Sequence, residues 1–103
     1  MKEIGTVSVD DSYHHYRFFF KNDPKILYIK HEGVSLTFYY EISDDTFNGD
    51  IKEYQFIVFP EGSHIGNEYE YVGCYEDKNL TYFIYMKKYN IECPIIIYRT
   101  FLI

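Results

Sequence analysis

The stretch Val34-Ser35-Leu36-Thr37-Phe38-Tyr39-Tyr40-Glu41-Ile42 places an apolar or aromatic side chain at every even position and Ser, Thr, Tyr or Glu at the odd positions that follow Val34. Side chains on a strand point to alternate faces, so this period of two describes a strand with one buried and one wet face. Just upstream, residues 25–31 carry apolar side chains on both faces, which predicts a well-covered strand. Glu32-Gly33 joins the two as a hairpin. Residues 4–9 and 13–20 predict two earlier strands, the second stopped by Asn22-Asp23-Pro24. Downstream, residues 53–59 end at Pro60, and residues 68–75 and 80–86 pair across Glu76-Asp77-Lys78-Asn79. Residues 87–92 leave room for a single helical turn, and residues 95–102 close the chain as a last strand. No helical period runs over ten or more residues. The expectation is all-β: one small antiparallel domain, a sandwich or a barrel of about six to eight strands.

Composition narrows the function classes. The chain has 103 residues, enough for one core, and its 47% hydrophobic content is that of a folded domain. A net charge of -6 with only ten Lys and Arg excludes a general binder of DNA or RNA backbones, which needs clustered cations. Cys74 and Cys93 lack a CxxC spacing, so reduced thiols are expected rather than a metal pair. Met1-Lys2-Glu3-Ile4-Gly5 does not open a signal peptide, and residues 94–103 are too short an apolar run for a bilayer. A cytoplasmic protein without membrane contact is expected. Ile95-Ile96-Ile97-Tyr98, placed at a sheet edge, would invite pairing with a second copy, so a homodimer or larger assembly is expected.

Several pieces follow one another in a recognisable order: Ile26-Leu27-Tyr28, Glu32-Gly33-Val34, Tyr54-Gln55-Phe56, Gly62-Ser63-His64-Ile65, Tyr71-Val72-Gly73-Cys74-Tyr75 and Tyr82-Phe83-Ile84-Tyr85. Over residues 25–87 this resembles a small domain of unknown function encoded by bacteriophages, with Ser63 inserted into that family's Gly-His loop. The resemblance implies a phage origin and a β fold, and it brings no activity with it. The absence of Ala and the wealth of Lys, Asn, Ile and Tyr fit an AT-rich genome.

Motifs for catalysis are missing. His14-His15 would face opposite ways on a strand, and His31 and His64 lie on other segments, so no metal site is expected. Ser63-His64 lacks the strand-turn-helix setting of a nucleophile. Asp44, Thr46, Asn48 and Asp50 alternate as calcium ligands do, with Glu53 nearby, but Gly49 is misplaced and no helices flank the turn. A solvated acidic turn is expected there. Neither an enzyme nor a cofactor protein is indicated.

The aromatics carry the functional reading. Thirteen tyrosines and nine phenylalanines are present, and Phe18, Phe20, Leu36, Phe38, Phe56, Val58, Phe83 and Phe101 suffice for a core. Tyr39, Tyr69, Tyr71, Tyr75, Tyr82, Tyr85 and Tyr98 exceed what a core can bury with satisfied hydroxyls. Surface tyrosines stack on nucleobases, or equally bury themselves against a protein partner or a second copy of the chain. The predicted ligand site therefore takes Tyr39, Tyr71, Tyr85 and Tyr98 for stacking and the two arginines, Arg17 and Arg99, with Lys87 or Lys88, for phosphate. His64 joins them from its glycine-flanked loop. The favoured function is a non-catalytic phage counter-defence protein sequestering a cyclic nucleotide messenger of bacterial immunity. The other is an acidic inhibitor of a host defence protein, of the anti-CRISPR or DNA-mimic kind. There Glu41, Asp44, Asp45, Asp50, Glu68, Glu70, Glu76 and Asp77 would imitate phosphates.

Overall fold

Alternation decides the architecture. Leu36, Phe38 and Tyr40 point inward from one sheet, and Tyr16, Phe18 and Phe20 with Tyr54, Phe56 and Val58 point inward from another. The computed structural model describes residues 1–43, 51–90 and 100–102. The strands are β1 (Lys2–Asp10), β2 (His15–Phe20), β3 (Lys25–Glu32), β4 (Ser35–Ser43), β5 (Lys52–Pro60), β6 (Glu70–Asp77), β7 (Leu80–Asn90) and β8 (Thr100–Leu102). They form a three-stranded sheet in the order β1-β4-β3 and a five-stranded sheet in the order β6-β7-β5-β2-β8. All neighbours run antiparallel except β8, which lies parallel to β2. Two separate sheets make this a small β sandwich. Among the described residues there is no helix, so none is long and apolar enough to cross a membrane. Where a helical turn had room, β7 continues through Asn90, paired with Lys52 of β5.

The core is a packing of rings. Phe56 lies 5.0 Å from Phe18 and 5.3 Å from Phe38 between ring centroids, and Phe18 meets Phe38 edge-on at 5.6 Å. Phe20 bridges Tyr40 at 5.2 Å and Tyr54 at 5.4 Å. Such tilted and edge-on contacts suit the aromatic quadrupole. Of the residues expected inside, Phe83 is only half-buried because it points to the outer face, and the Phe101 side chain lies outside the described residues.

More tyrosine is buried than the sequence suggested. Tyr16, Tyr40, Tyr54 and Tyr75 are all core residues. Two of these hydroxyls escape the usual cost of burial by reaching the rim of the sandwich. Tyr54 donates to the Asp23 carboxylate, and the Tyr16 hydroxyl meets the carbonyls of Asp10 and Tyr13. Among the described residues no buried side-chain polar atom lacks a partner.

Strand β3 corrects the expectation of a covered strand. It is an edge strand, with Leu27 42% and Tyr28 61% exposed. Its register shifts between Ile26 and Tyr28, so Ile26 and Ile29 both pack inward although they are not an even number of residues apart. A bulge breaks the period of two and makes both faces look apolar in sequence. The same shift occurs in β6 between Tyr71 and Gly73, bringing Val72 and Tyr75 to the inner side. The two bulged edges meet: a Cβ at Gly73 would collide with the Ile29 side chain, so glycine lets β6 approach β3.

Both sequence hairpins form. Gly33 takes a φ of 59° at the first turn position between β3 and β4, and Lys78 and Asn79 take φ of 51° and 68° between β6 and β7. Positive φ at both central residues is the type I′ turn, in which lysine is a poor fit. Replacing the pair by Asn-Gly, as Lys78→Asn with Asn79→Gly, should stabilise the domain by about 0.5–1 kcal/mol. A thermal melt with an unchanged or lower midpoint would contradict the turn assignment.

Candidate functional site

Strand pairing puts Tyr71 opposite Tyr85, and both point away from the core on the outer face of the five-stranded sheet. Their rings meet edge-on at 5.6 Å. Phe59 of β5 lies 5.8 Å from Tyr85 and 6.0 Å from Tyr69, extending the ring cluster to the loop that precedes β6. Lys87 sits two residues along β7 from Tyr85, on the same face, and its Nζ lies 5.5 Å from the Tyr69 ring centroid. The result is an aromatic shelf with one cation at its border. Tyr71 is the most open ring of this shelf, 51% exposed. Its hydroxyl bonds to Cys74, which raises its pKa above the ordinary phenol value. Cys74 itself is an exposed free thiol on the edge strand β6, as expected.

The predicted site residues divide as follows. Tyr71, Tyr85 and Lys87 come together on the shelf. His64 is exposed in the loop that carries Tyr69. Arg17 shares the outer face but lies across β5, on β2, and is held by Glu53 at 3.7 Å. Tyr39 is on the other sheet, facing away from the core beside Tyr28 at 5.8 Å, and contributes nothing to the shelf. Tyr98 and Arg99 lie outside the described residues, as do Cys93, Asp44, Asp45, Asp50 and the run from Ile95 to Ile97.

Electrostatics constrain what the shelf can hold. Each described cation proposed for phosphate already has a carboxylate near: Arg17 has Glu53, Lys87 has Glu68 at 4.0 Å, and Lys88 has Asp23 at 3.5 Å. The pairs differ in strength. Glu53 is buried, so breaking its contact with Arg17 strands a charge. It also accepts from Gln55 Nε2 at 3.3 Å, and Gln55 Oε1 lies 2.9 Å from His15 Nε2. Glu68 is exposed, and such surface pairs contribute about 0–1 kcal/mol. The exposed Glu68 is thus a weaker partner for Lys87 than the buried Glu53 is for Arg17. Asp23 has its pKa lowered, first by the Tyr54 hydrogen bond and then by Lys88 and Lys52.

A second constellation was missed by sequence reading. Asp11, His31 and Asp77 gather at the end of the sandwich where β3 meets β6, with ligand atoms within 4.8 Å of one another. His31 Nε2 is 2.5 Å from Asp11 Oδ2. The His31 ring lies 4.8 Å from Tyr75, whose hydroxyl pKa is pushed up to about 12 by burial and then by Asp11. No local spacing joins these three residues, so no motif could have announced them.

No family model, curated protein or solved structure matches the chain. Function has to be read from these side chains.

Proposed function

We propose that this chain is a non-catalytic binding protein whose working surface is the shelf of Phe59, Tyr69, Tyr71 and Tyr85. Its ligand is a cyclic nucleotide, bound with its base against the rings and its phosphate at Lys87. The observation that supports this reading is the ring cluster on an outward sheet face, with Lys87 over Tyr69 at its border. Tyr71 is the open ring of the cluster and the others lie half-buried beside it, and a base gains stacking from each ring it covers. Taken with the phage resemblance, the role is counter-defence: removing an immune messenger from solution without cleaving it. Arg17 is less available than Lys87, because its partner Glu53 is buried.

Purified protein should bind a cyclic di- or oligonucleotide and release it unchanged after heat denaturation. Tyr85→Ala should weaken binding by about 1–3 kcal/mol, read by titration calorimetry, while the melt stays cooperative. A cleaved product would mean an enzyme. No binding to any cyclic nucleotide, together with salt-sensitive capture of a basic host protein, would instead favour the acidic inhibitor.

A further inference from the structure

We infer that Asp11, His31 and Asp77 form a binding site for a divalent transition-metal ion, with zinc the ion that fits best, and that the ion joins the two sheets at the β3–β6 seam. The site is independent of the nucleotide reading and lies apart from the aromatic shelf. Three observations carry it.

The first is the donor set. One imidazole nitrogen and two carboxylate oxygens lie within 4.8 Å of one another, close to the spacing required around one ion. Zinc holds such ligands at about 2.0–2.2 Å, so closing the site needs movements of about an ångström. Imidazole with carboxylates selects zinc and its transition-metal neighbours over magnesium and calcium, which prefer oxygen alone. Three protein ligands leave a fourth position for water.

The second is uncompensated charge. Side-chain exposure is only 9% at His31 and 16% at Asp11, so this is not a solvated acidic surface. Lys2, Arg17, Lys30, Lys52, Lys87 and Lys88 each lie near a carboxylate elsewhere. Among the described residues no lysine or arginine is within ion-pair distance of Asp11 or Asp77. Two half-buried carboxylates sharing one imidazole leave a negative hollow that a cation would neutralise.

The third is the framework. The backbone N–H of Asp11 donates to the Val34 carbonyl at 2.9 Å, fixing the turn after β1 to the β3–β4 hairpin. Tyr75 packs beside the His31 ring and stacks on Tyr82 at 5.3 Å, holding the imidazole plane. Asp11 and His31 belong to the three-stranded side and Asp77 ends β6 of the five-stranded sheet. No ladder joins β3 to β6, so an ion here supplies a cross-link that backbone hydrogen bonds do not. On binding, Nε2 of His31 gives its lone pair to the ion, and the proton of the His31–Asp11 hydrogen bond leaves to solvent.

Zinc chloride should be titrated into protein stripped with a chelator, with calorimetry and thermal melts as readouts. One ion per chain is expected, with a rise in Tm of about 10 °C or more at a hundredfold excess over Kd. Magnesium and calcium at the same concentration should leave Tm unchanged. Asp77→Asn and, separately, His31→Gln should each weaken zinc binding by about tenfold or more. Asp77→Asn sits at a strand end and keeps its volume, so it decides the matter if His31→Gln fails to fold. No zinc-dependent shift would overturn the inference. So would zinc binding of equal strength in Asp77→Asn, because the ion would then sit elsewhere, at the exposed His14, His15, His64 or Cys74.

Discussion

Phe56→Ala should destabilise the domain by about 3–5 kcal/mol, a large part of the 5–15 kcal/mol that holds a domain of this size together. Phe56 is fully buried, and its ring touches Phe18 of its own sheet and Phe38 of the facing one. Removing it opens a cavity between the layers that neither sheet can collapse to fill, because each is held by its own ladder. The control is Phe59→Ala, on the same strand but on the opposite, half-buried face. It should cost far less, about 1 kcal/mol. Urea unfolding of the two variants measures the difference. Equal losses would mean that the inner and outer faces of β5 have been assigned wrongly.

The second large effect is a steep loss of stability in alkali. Burial raises the pKa of Tyr40, with Glu3 adding to it, and burial followed by the Asp23 hydrogen bond raises that of Tyr54 much further. In the unfolded chain both phenols ionise near pH 10, whereas in the folded chain they keep their protons. The unfolded state then binds fewer protons, so stability is intact below about pH 10 and falls as pH rises above it. Tyr75, pushed up to about 12 by burial, keeps its proton in the same way. Each phenol contributes at most about 1.4 kcal/mol per pH unit, so the three give a slope of up to about 4 kcal/mol per unit just above pH 10. Urea midpoints across that range, followed with tyrosinate absorbance, should show the buried phenols ionising only as the chain unfolds. Tyr54→Phe should lower the slope by up to about 1.4 kcal/mol per pH unit. A gradual titration of every tyrosine in a chain that stays folded would contradict the burial of these rings.

How much of this was legible in the sequence depended on how local each feature is. The alternation of Leu36, Phe38 and Tyr40 specified β4 because these three successive inward positions are all buried. The turns at Gly33 and at Lys78-Asn79 were visible because their chemistry is carried by adjacent residues. The edge character of β3 was hidden by its bulge, which supplies apolar residues to both faces without covering both. Tyr71, Tyr85 and Lys87 converge because neighbouring strands bring them side by side on one face. Tyr39 does not, because strand pattern says which face a residue occupies and not which sheet its strand joins. The cluster of Asp11, His31 and Asp77 depends on two edges meeting across the sandwich, a relation that no periodicity encodes.

The strand order also governs how the molecule must assemble. The chain visits the three-stranded sheet at β1, leaves it for β2, returns for β3 and β4, and leaves again for β5. β1 therefore waits for β4 before it has any hydrogen-bonded neighbour, and β2 waits for β5 or β8. Among the described residues only the β3–β4 and β6–β7 hairpins can form from neighbouring sequence. Distant pairings must bear the entropy of closing long loops before any contact rewards them, which places such topologies among the slow, millisecond-to-second folders. During synthesis β1 keeps an unpaired edge until the β3–β4 hairpin has left the ribosome and β2 keeps its own until β5 follows, so the growing chain is exposed to mispairing until β5 has emerged.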